Sequence, residues 1–569
     1  MVDVIEREWQ FDAPDLAVVE RWLQGQPVHA PFAFAFGEPK EQVDVYFDTP
    51  DWRIHRAGFT LRRRAKGDAF EATLKSIDRG TGDVSARREV TELLQGAELL
   101  GGDGEVASRV RVIAAREPLQ PLVEVRTRRR GVAVLRNGHP VASVDLDETA
   151  LVHQGAVAGT LRRVEVEIAE PAIERELTGV VRSLAKACGL TPASTSKFEA
   201  ALAAAGLSPG GSLDFGSIDL DPAAGAAEYG FAWLRRQWAE FLHHEPGTRL
   251  GEDIEALHQM RVATRRLRAT IALFRDVLPA RLEVLRDELQ WAGHELGAVR
   301  DLDVQIEHMH ALQAGVPPEE AVALAPLIAI LEEQRAAERQ VLTELLDSAR
   351  FEALVQGMSA ALREGPPPAV PRVEVRGFAA PILRRRIGAV RKDGARLVPS
   401  SPPAEYHALR IRGKRFRYSL ELFGDLYGRP AERMTEAVKR LQDLLGEHQD
   451  AEVMIDWLRA TVGAHPDRLP PETLVAVGEQ IARQRGIMVE RRAAFRRVFR
   501  ELAGPRWRAL ERALSERPRP PRPPAAVDSI EPVADAPDVP SEPFTDGAHP
   551  SPPPGASGPL MRVRHLFHL

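Results

Sequence analysis

From Val4 to about Gly206, apolar and polar residues alternate with a period of two, Val, Ile, Thr and Phe against charged side chains, as they do in strands. This part is predicted to be β-rich. Residues 206–222 carry Pro209, Gly210, Gly211 and Ser212 among few apolar side chains, so they read as a linker. Over 223–512, Ala, Leu, Arg and Glu recur at helical spacing, interrupted by proline clusters near Pro317 and Pro366, which predicts an all-α domain. Between Pro518 and Pro559, 14 of 42 residues are proline and few are apolar. That is too little burial to offset the entropy of ordering, so 513–569 is expected to be a disordered Pro-rich tail. It ends in a short amphipathic stretch, Leu560 to Leu569, for which a docking peptide towards a protein partner and a frayed end are both open.

A chain of 569 residues exceeds what one core supports, so an α+β multidomain protein is expected. Cys188 is its one cysteine, which excludes an internal disulfide framework and fits a reducing compartment. Charges interrupt the first residues, and no apolar run reaches transmembrane length. A cytoplasmic protein with no membrane partner is expected. The net charge of −6 would argue against polyanion partners, but 76 Lys+Arg and 82 Asp+Glu are unevenly placed, and local clusters set local potential.

In the β-rich part the charges fall on alternate positions: Glu6, Glu8 and Gln10; Arg62 and Arg64; Glu71, Thr73 and Lys75; Glu124, Arg126 and Arg128; Asp145 and Asp147; Glu165 and Glu167. Their neighbours Val123, Val125, Val144, Leu146, Val164, Val166 and Ile168 are apolar. An ordinary sheet with its charged face in water accounts for the alternation. Acids on the first and late strands and cations between them also suit a site that holds metal ions against an anion.

Glu6-Arg7-Glu8-Trp9-Gln10, Tyr46-Phe47-Asp48-Thr49, Leu61-Arg62-Arg63-Arg64, Thr73-Leu74-Lys75, Asp145, Glu165-Val166-Glu167 and Ser196-Lys197-Phe198 follow one another in an order that resembles a CYTH domain, a triphosphate tunnel metalloenzyme. The resemblance covers about 1–205 and implies an eight-stranded antiparallel β-barrel whose lumen takes a triphosphate. By resemblance, Arg62, Arg64, Lys75, Arg88, Arg126, Arg128 and Lys197 bind phosphate, since Arg and Lys forks neutralise and orient phosphoryl groups. Glu6, Glu8, Asp145, Glu165 and Glu167 are the implied ligands of Mg²⁺ or Mn²⁺, hard cations that prefer carboxylate oxygens. Glu6, Glu8, Lys75, Glu165 and Glu167 are the implied catalytic set. The family's first motif is E-x-E-x-K, and Gln10 stands where its lysine belongs.

The helical region repeats itself. His258, Arg261, Arg265, Arg266 and Arg268 recur 149 residues later as His407, Arg410, Lys414, Arg415 and Arg417, and Arg235 and Arg236 recur as Arg384 and Arg385. Two pseudo-symmetric helical bundles are predicted. At helical pitch His258, Arg261, Arg265 and Arg268 fall within about 80° of one another, opposite Met260, Ala263, Leu267, Ile271 and Phe274. Leu409, Phe416, Leu420 and Phe423 form the apolar stripe of the second copy. A solvated face normally mixes signs, because like charges at i,i+4 repel, yet neither motif contains an acid between its histidine and its last arginine. An anionic partner is expected. His258-Gln259-Met260-Arg261 and His407-Ala408-Leu409-Arg410 resemble the signature of a CHAD domain, which implies binding of inorganic polyphosphate. The implied contacts are Arg235, Arg236, His258, Arg261, Arg265, Arg268, Arg384, Arg385, His407, Arg410, Lys414 and Arg417. Tyr418 and Trp291 read as packing residues, His448 as a helix-end hydrogen-bonding residue, and Asp301 and Asp450 as partners that orient arginines.

Together these readings predict metal-dependent hydrolysis of inorganic triphosphate or polyphosphate ends, with polyphosphate held by the helical domain and its granules as a candidate location. A non-catalytic polyphosphate-binding adaptor is the alternative. Nucleic acid is disfavoured as a partner, because no nucleic-acid motif or aromatic interleaving accompanies the basic helices.

Overall fold

A computed structural model describes residues 2–25, 32–67, 69–77, 84–94, 96–209, 213–367 and 372–516. The tail from 517 onward, with its expected disorder and C-terminal peptide, lies outside the described residues. Contacts group the chain into two compact units, one of Met1–Gly216 with Arg236–Thr264 and Leu346–Glu352, the other of Ser217–Arg235, Arg265–Leu345 and Ala353–Leu569.

Among the described residues ten strands form the β-rich part: β1 (Val2–Asp12), β2 (Phe32–Phe36), β3 (Lys40–Asp48), β4 (Phe59–Lys66), β5 (Ala69–Ser76), β6 (Ser85–Leu94), β7 (Gln120–Arg136), β8 (His139–His153), β9 (Ala156–Ile168) and β10 (Thr191–Pro192). Eight of them close an antiparallel barrel in the order β1-β6-β5-β4-β3-β7-β8-β9, with β9 returning to β1. The expected eight-stranded barrel is therefore present. Its longest hairpins turn at Asn137-Gly138 and Gln154-Gly155, all four residues at positive φ, as two-residue turns between right-twisted strands require.

The apolar face of the strands points outward. Trp9, Phe11, Val144, Leu146, Val164 and Val166 are buried beneath the helices Leu16–Gln24 and Glu174–Cys188. On the other side Phe59, Leu61, Leu74 and Val90 pack with Val106, Val110 and Ile113 of the helix Glu105–Ala114. With helices over the apolar side, the charged side is left to line the interior, which removes the ordinary-sheet explanation of the alternation. The helix Lys197–Ala204, opened by a Ser196 capping box, packs Phe198, Ala201 and Leu202 against Tyr46, Val123, Val125 and Leu151. Tyr46 and Phe198 stand 4.9 Å apart, ring to ring. A Cβ on Gly159 would lie 3.3 Å from the Ala204 Cβ, so a small residue there leaves room for this helix.

The duplication is visible helix by helix. Ile254–Phe274 and Pro403–Phe423 begin and end 149 residues apart, and Ala226–Leu250, Arg281–Ala314 and Pro318–Leu346 have their counterparts in Val375–Gly394, Arg429–Ala464 and Pro471–Phe499. Gly225 forms a lone antiparallel bridge with Glu374, the residue 149 positions on. Equivalent residues paired with each other mark a local twofold. Phe274 and Phe423, a second equivalent pair, meet at 5.5 Å, and Tyr229 and Phe378, a third, flank them. Both apolar stripes are buried as predicted.

Candidate active site

Register fixes which side chains enter the lumen. On β1, Glu6 and Glu8 stand opposite Arg87 and Ser85 of β6, and Ile5 and Arg88 point out. Lys75 of β5 binds Glu6 and lies 3.5 Å from Glu8 and from Glu89. Arg87 donates to Glu8 at 2.7 Å. On β4, Arg64 makes a two-pronged contact to Asp44 of β3 at 2.7 and 2.8 Å, and Arg62 lies 3.7 Å from Glu89 and 3.9 Å from Asp44. Across the barrel Arg129 of β7 donates to Asp145, Asp147 and Glu165 at 2.6–2.7 Å. Lys197 reaches Asp147 at 2.5 Å and Glu165 at 2.8 Å.

Glu6, Glu8, Arg62, Arg64, Lys75, Asp145, Glu165 and Lys197 thus come together in the lumen, and Glu167 lies across from Glu8 in the β1–β9 register. Three expected phosphate ligands do not. Arg88 binds Glu252 at 2.8 Å on the outer side, Arg126 binds Glu124, and Arg128 stands in solvent beside Glu41. Their places are taken by Arg87 and Arg129, which the sequence reading passed over. The cause on β7 is a change of apolar side midway along the strand. Val123 and Val125 face inward against the helix Lys197–Ala204, whereas Val132 and Val134 face outward into the core, so counting from the first pair assigns the wrong parity. Val132 and Val134 carry the signal that would have placed Arg129 correctly. On β6 the same is true of Val90 and Leu94, which share a side with Arg88.

Charge crowding sets the protonation of the wall. Burial pushes Glu167 up to about 7, helped by Glu6, Glu8 and Asp145, and pushes Asp145 up to about 6, with Asp147 and Glu165 adding to the rise. Burial also raises Glu8. Burial would raise Glu165 too, but Lys197 and Arg129 hold it well below the usual carboxylate range. Against its own burial, Lys75 is held above its ordinary value by Glu8 and Glu6. Gln10 donates to Glu8 at 3.0 Å and to Glu165 at 3.3 Å, a hydrogen-bonding link without charge.

On the helices, His258, Arg261, Arg265, Arg268, Arg410, Lys414 and Arg417 are half-buried, as is Arg236, and Arg384 and Arg385 are exposed. The guanidinium groups of Arg265 and Arg417 lie 5.0 and 5.4 Å from the centre of the Tyr418 ring, so the duplicated helices approach each other there. Tyr418 is buried, in keeping with its reading as a packing residue. His407 contacts Gln449 Oε1 at 2.5 Å, and Arg268 donates to Gln290 at 2.7 Å. Arg235 spends its guanidinium on the carbonyls of Leu362 and Ser217. His448 lies within the helix Arg429–Ala464 rather than at its end; it is buried, stacks on Tyr406 at 4.9 Å and faces Arg492 Nε at 2.9 Å.

Family models match a CYTH domain over residues 30–201 and a CHAD domain over 232–459. The chain joins a CYTH domain to a CHAD domain. It is 26% identical over 456 residues to the uncharacterized protein MT2285 of Mycobacterium tuberculosis, covering 74% of this chain and 82% of that one. Among solved structures it is similar to the CHAD domain from the plant Ricinus communis, with 28% identity, 50% of this chain and 94% of that chain covered, and a TM-score of 0.42. A Hippeastrum protein, described as the putative adenylyl cyclase HpAC1 with a dominant triphosphatase activity, matches at 20% identity over 36% of this chain and 97% of its own, with a TM-score of 0.26.

CYTH domains are metal-dependent, and the wall of this lumen fits a divalent cation by its chemistry. Glu6, Glu8, Asp145 and Glu167 crowd one another until two of them are pushed to 6 or above, which a 2+ charge would relieve. Among the described residues no three such groups already converge at bonding distance of one point. No helix of the described residues is long and apolar enough to cross a membrane.

Proposed function

We propose that the CYTH barrel hydrolyses inorganic triphosphate or the ends of polyphosphate with Mg²⁺ or Mn²⁺, and that the CHAD helices hold inorganic polyphosphate close by, in the cytoplasm. The observation that carries this reading is the lumen itself, where Arg62, Arg64, Lys75, Arg87, Arg129 and Lys197 are each paired with a carboxylate. Buried ions of both signs at such density need partners. A phosphate chain that arrives with a divalent cation satisfies both sets, the arginines and lysines taking phosphoryl oxygens and Glu6, Glu8, Asp145, Glu165 and Glu167 taking the cation. When bound, that cation polarises the phosphoryl oxygens. The chain's own contribution is to fix the phosphates in line and to balance the charge that develops on transfer. Polyphosphate held on the basic helices raises the local concentration of chain ends.

Release of phosphate by the full chain from triphosphate or polyphosphate, dependent on Mg²⁺ or Mn²⁺ and abolished by Glu165→Gln, is the expected result. No release with any divalent ion would reject hydrolysis. Gln10 supports a second reading, an adaptor that binds polyphosphate without turnover, since its amide bridges Glu8 and Glu165 without supplying the family's cation. In that case Arg261→Glu, Arg265→Glu, Arg410→Glu and Lys414→Glu together abolish retention on polyphosphate, and Glu165→Gln changes nothing.

A further inference from the structure

The displacement of 149 residues relates two surfaces as well as two bundles. In the first half the barrel packs on the helix Ala226–Leu250 and near Asp347: Arg56 donates to the Leu242 carbonyl, Arg53 pairs with Glu245, and Arg116 donates to the Asp347 carbonyl at 3.1 Å. The equivalents of Leu242 and Glu245 in the second half are Arg391 and Gly394, and Asp347, which directly follows the helix Pro318–Leu346, corresponds to Arg500, which directly follows Pro471–Phe499. An apolar and two acidic positions have become two arginines and a glycine. Among the described residues the chain builds one barrel, and it lies on the first surface.

The second surface is strongly basic. Helices Val375–Gly394 and Pro505–Ser515 lie side by side, with Arg384 donating to Ser515 Oγ at 2.7 Å and the Arg391 guanidinium 5.0 Å from the Trp507 ring. Arg508 and Arg512, with Glu511, Ser515 and Glu516, line a hollow of about 470 Å³. Arg496 donates to the Ala395 carbonyl at 3.2 Å. Among the described residues none of these five arginines forms an ion pair, and four of them are exposed. Unpaired cations set together attract an anionic partner.

The chain itself supplies one. It continues from Glu516, at the edge of that hollow, and after Pro524 it carries Asp528, Glu531, Asp535, Asp538, Glu542 and Asp546 with no Lys or Arg until Arg562. The twelve steps along the chain from Glu516 to Asp528 reach up to about 40 Å when extended, more than the length of about 16 Å of an 11-residue helix. We propose that the acidic stretch 528–546 docks on this second-half surface of its own molecule, where the barrel docks in the first half. The barrel of a second copy is a poor occupant, because it would bring Arg56 and Arg116 against Arg391 and Arg500.

Energy transfer between dyes on the full chain tests this, with one dye at Lys392→Cys and one at Ser541→Cys in a Cys188→Ala background. High transfer is expected at about 0.05 M salt, falling at least about twofold at about 0.5 M, where screening shortens to a few ångströms. The same fall is expected at low salt after replacing the six acids by Asn and Gln, and after Arg391→Glu with Arg496→Glu and Arg508→Glu. The acid-side variant leaves every described residue unchanged, so its result stands even if the arginine reversals disturb folding. Transfer that is low at both salts, that survives loss of the six acids, or that arises only between singly labelled molecules mixed together overturns the proposal.

Discussion

Arg129 holds three carboxylates at once, whereas Arg128, one residue earlier, stands in solvent beside Glu41. Arg129→Gln is expected to lower phosphate release by about 10²-fold or more and to destabilise the barrel, since it strands buried acids. Arg128→Gln is expected to leave both unchanged; steady-state assays and thermal melts on the two variants decide it. His448 sets a pH dependence. Burial, with Arg492 beside it, pushes the imidazole down to about 4 from 6.5, so the folded helices disfavour its proton. The stability it contributes is complete above pH 6.5 and is lost as pH falls towards 4, up to about 3 kcal/mol. Urea unfolding between pH 7 and 4.5 is expected to show a shallower slope in His448→Gln than in the parent. At this scale the sequence was readable where one side of a strand stays apolar, as around Val164 and Val166. It misled where the apolar side changes within one strand, as in β7, because what lies beyond each face is decided by helices distant in the chain.

Among the elements, the helix Lys197–Ala204 does the most for the lumen, since its first residue carries the Lys197 ammonium to Asp147 and Glu165. It sits that close because Gly159 has no side chain. Gly159→Val is expected to push the helix back and lower phosphate release by about tenfold or more with the circular dichroism spectrum unchanged, since small displacements of a positioned group cost heavily. The strands and their charged faces were legible from the period of two, and the helices of the second half from the fixed displacement. The closure of the barrel was not, since β9 meets β1 across more than 150 residues and no local pattern records that pairing.

For the whole molecule, the corner of the barrel at Arg53 and Arg56 is tied to Glu245, a buried carboxylate that also binds Arg249. Glu245→Gln is expected to cost about 3–5 kcal/mol, because it removes the buried counter-charge of two guanidinium groups and leaves Arg249 to the more exposed Asp347 and Arg53 to Asp51 at 3.7 Å. Glu252→Gln, whose partners Arg88 and Arg109 stand partly in water, is expected to cost under about 1 kcal/mol. Calorimetry of the two variants checks the contrast. Nothing along the chain signals this junction, whose residues read as ordinary charges on separate segments. The bridge between Gly225 and Glu374 carries a different consequence. A patch that meets its own duplicate across a twofold is complementary to itself, so the halves recognise each other without the peptide that joins them. A chain interrupted within 368–371 and produced as two pieces in one cell is expected to reassemble into a split protein that co-purifies.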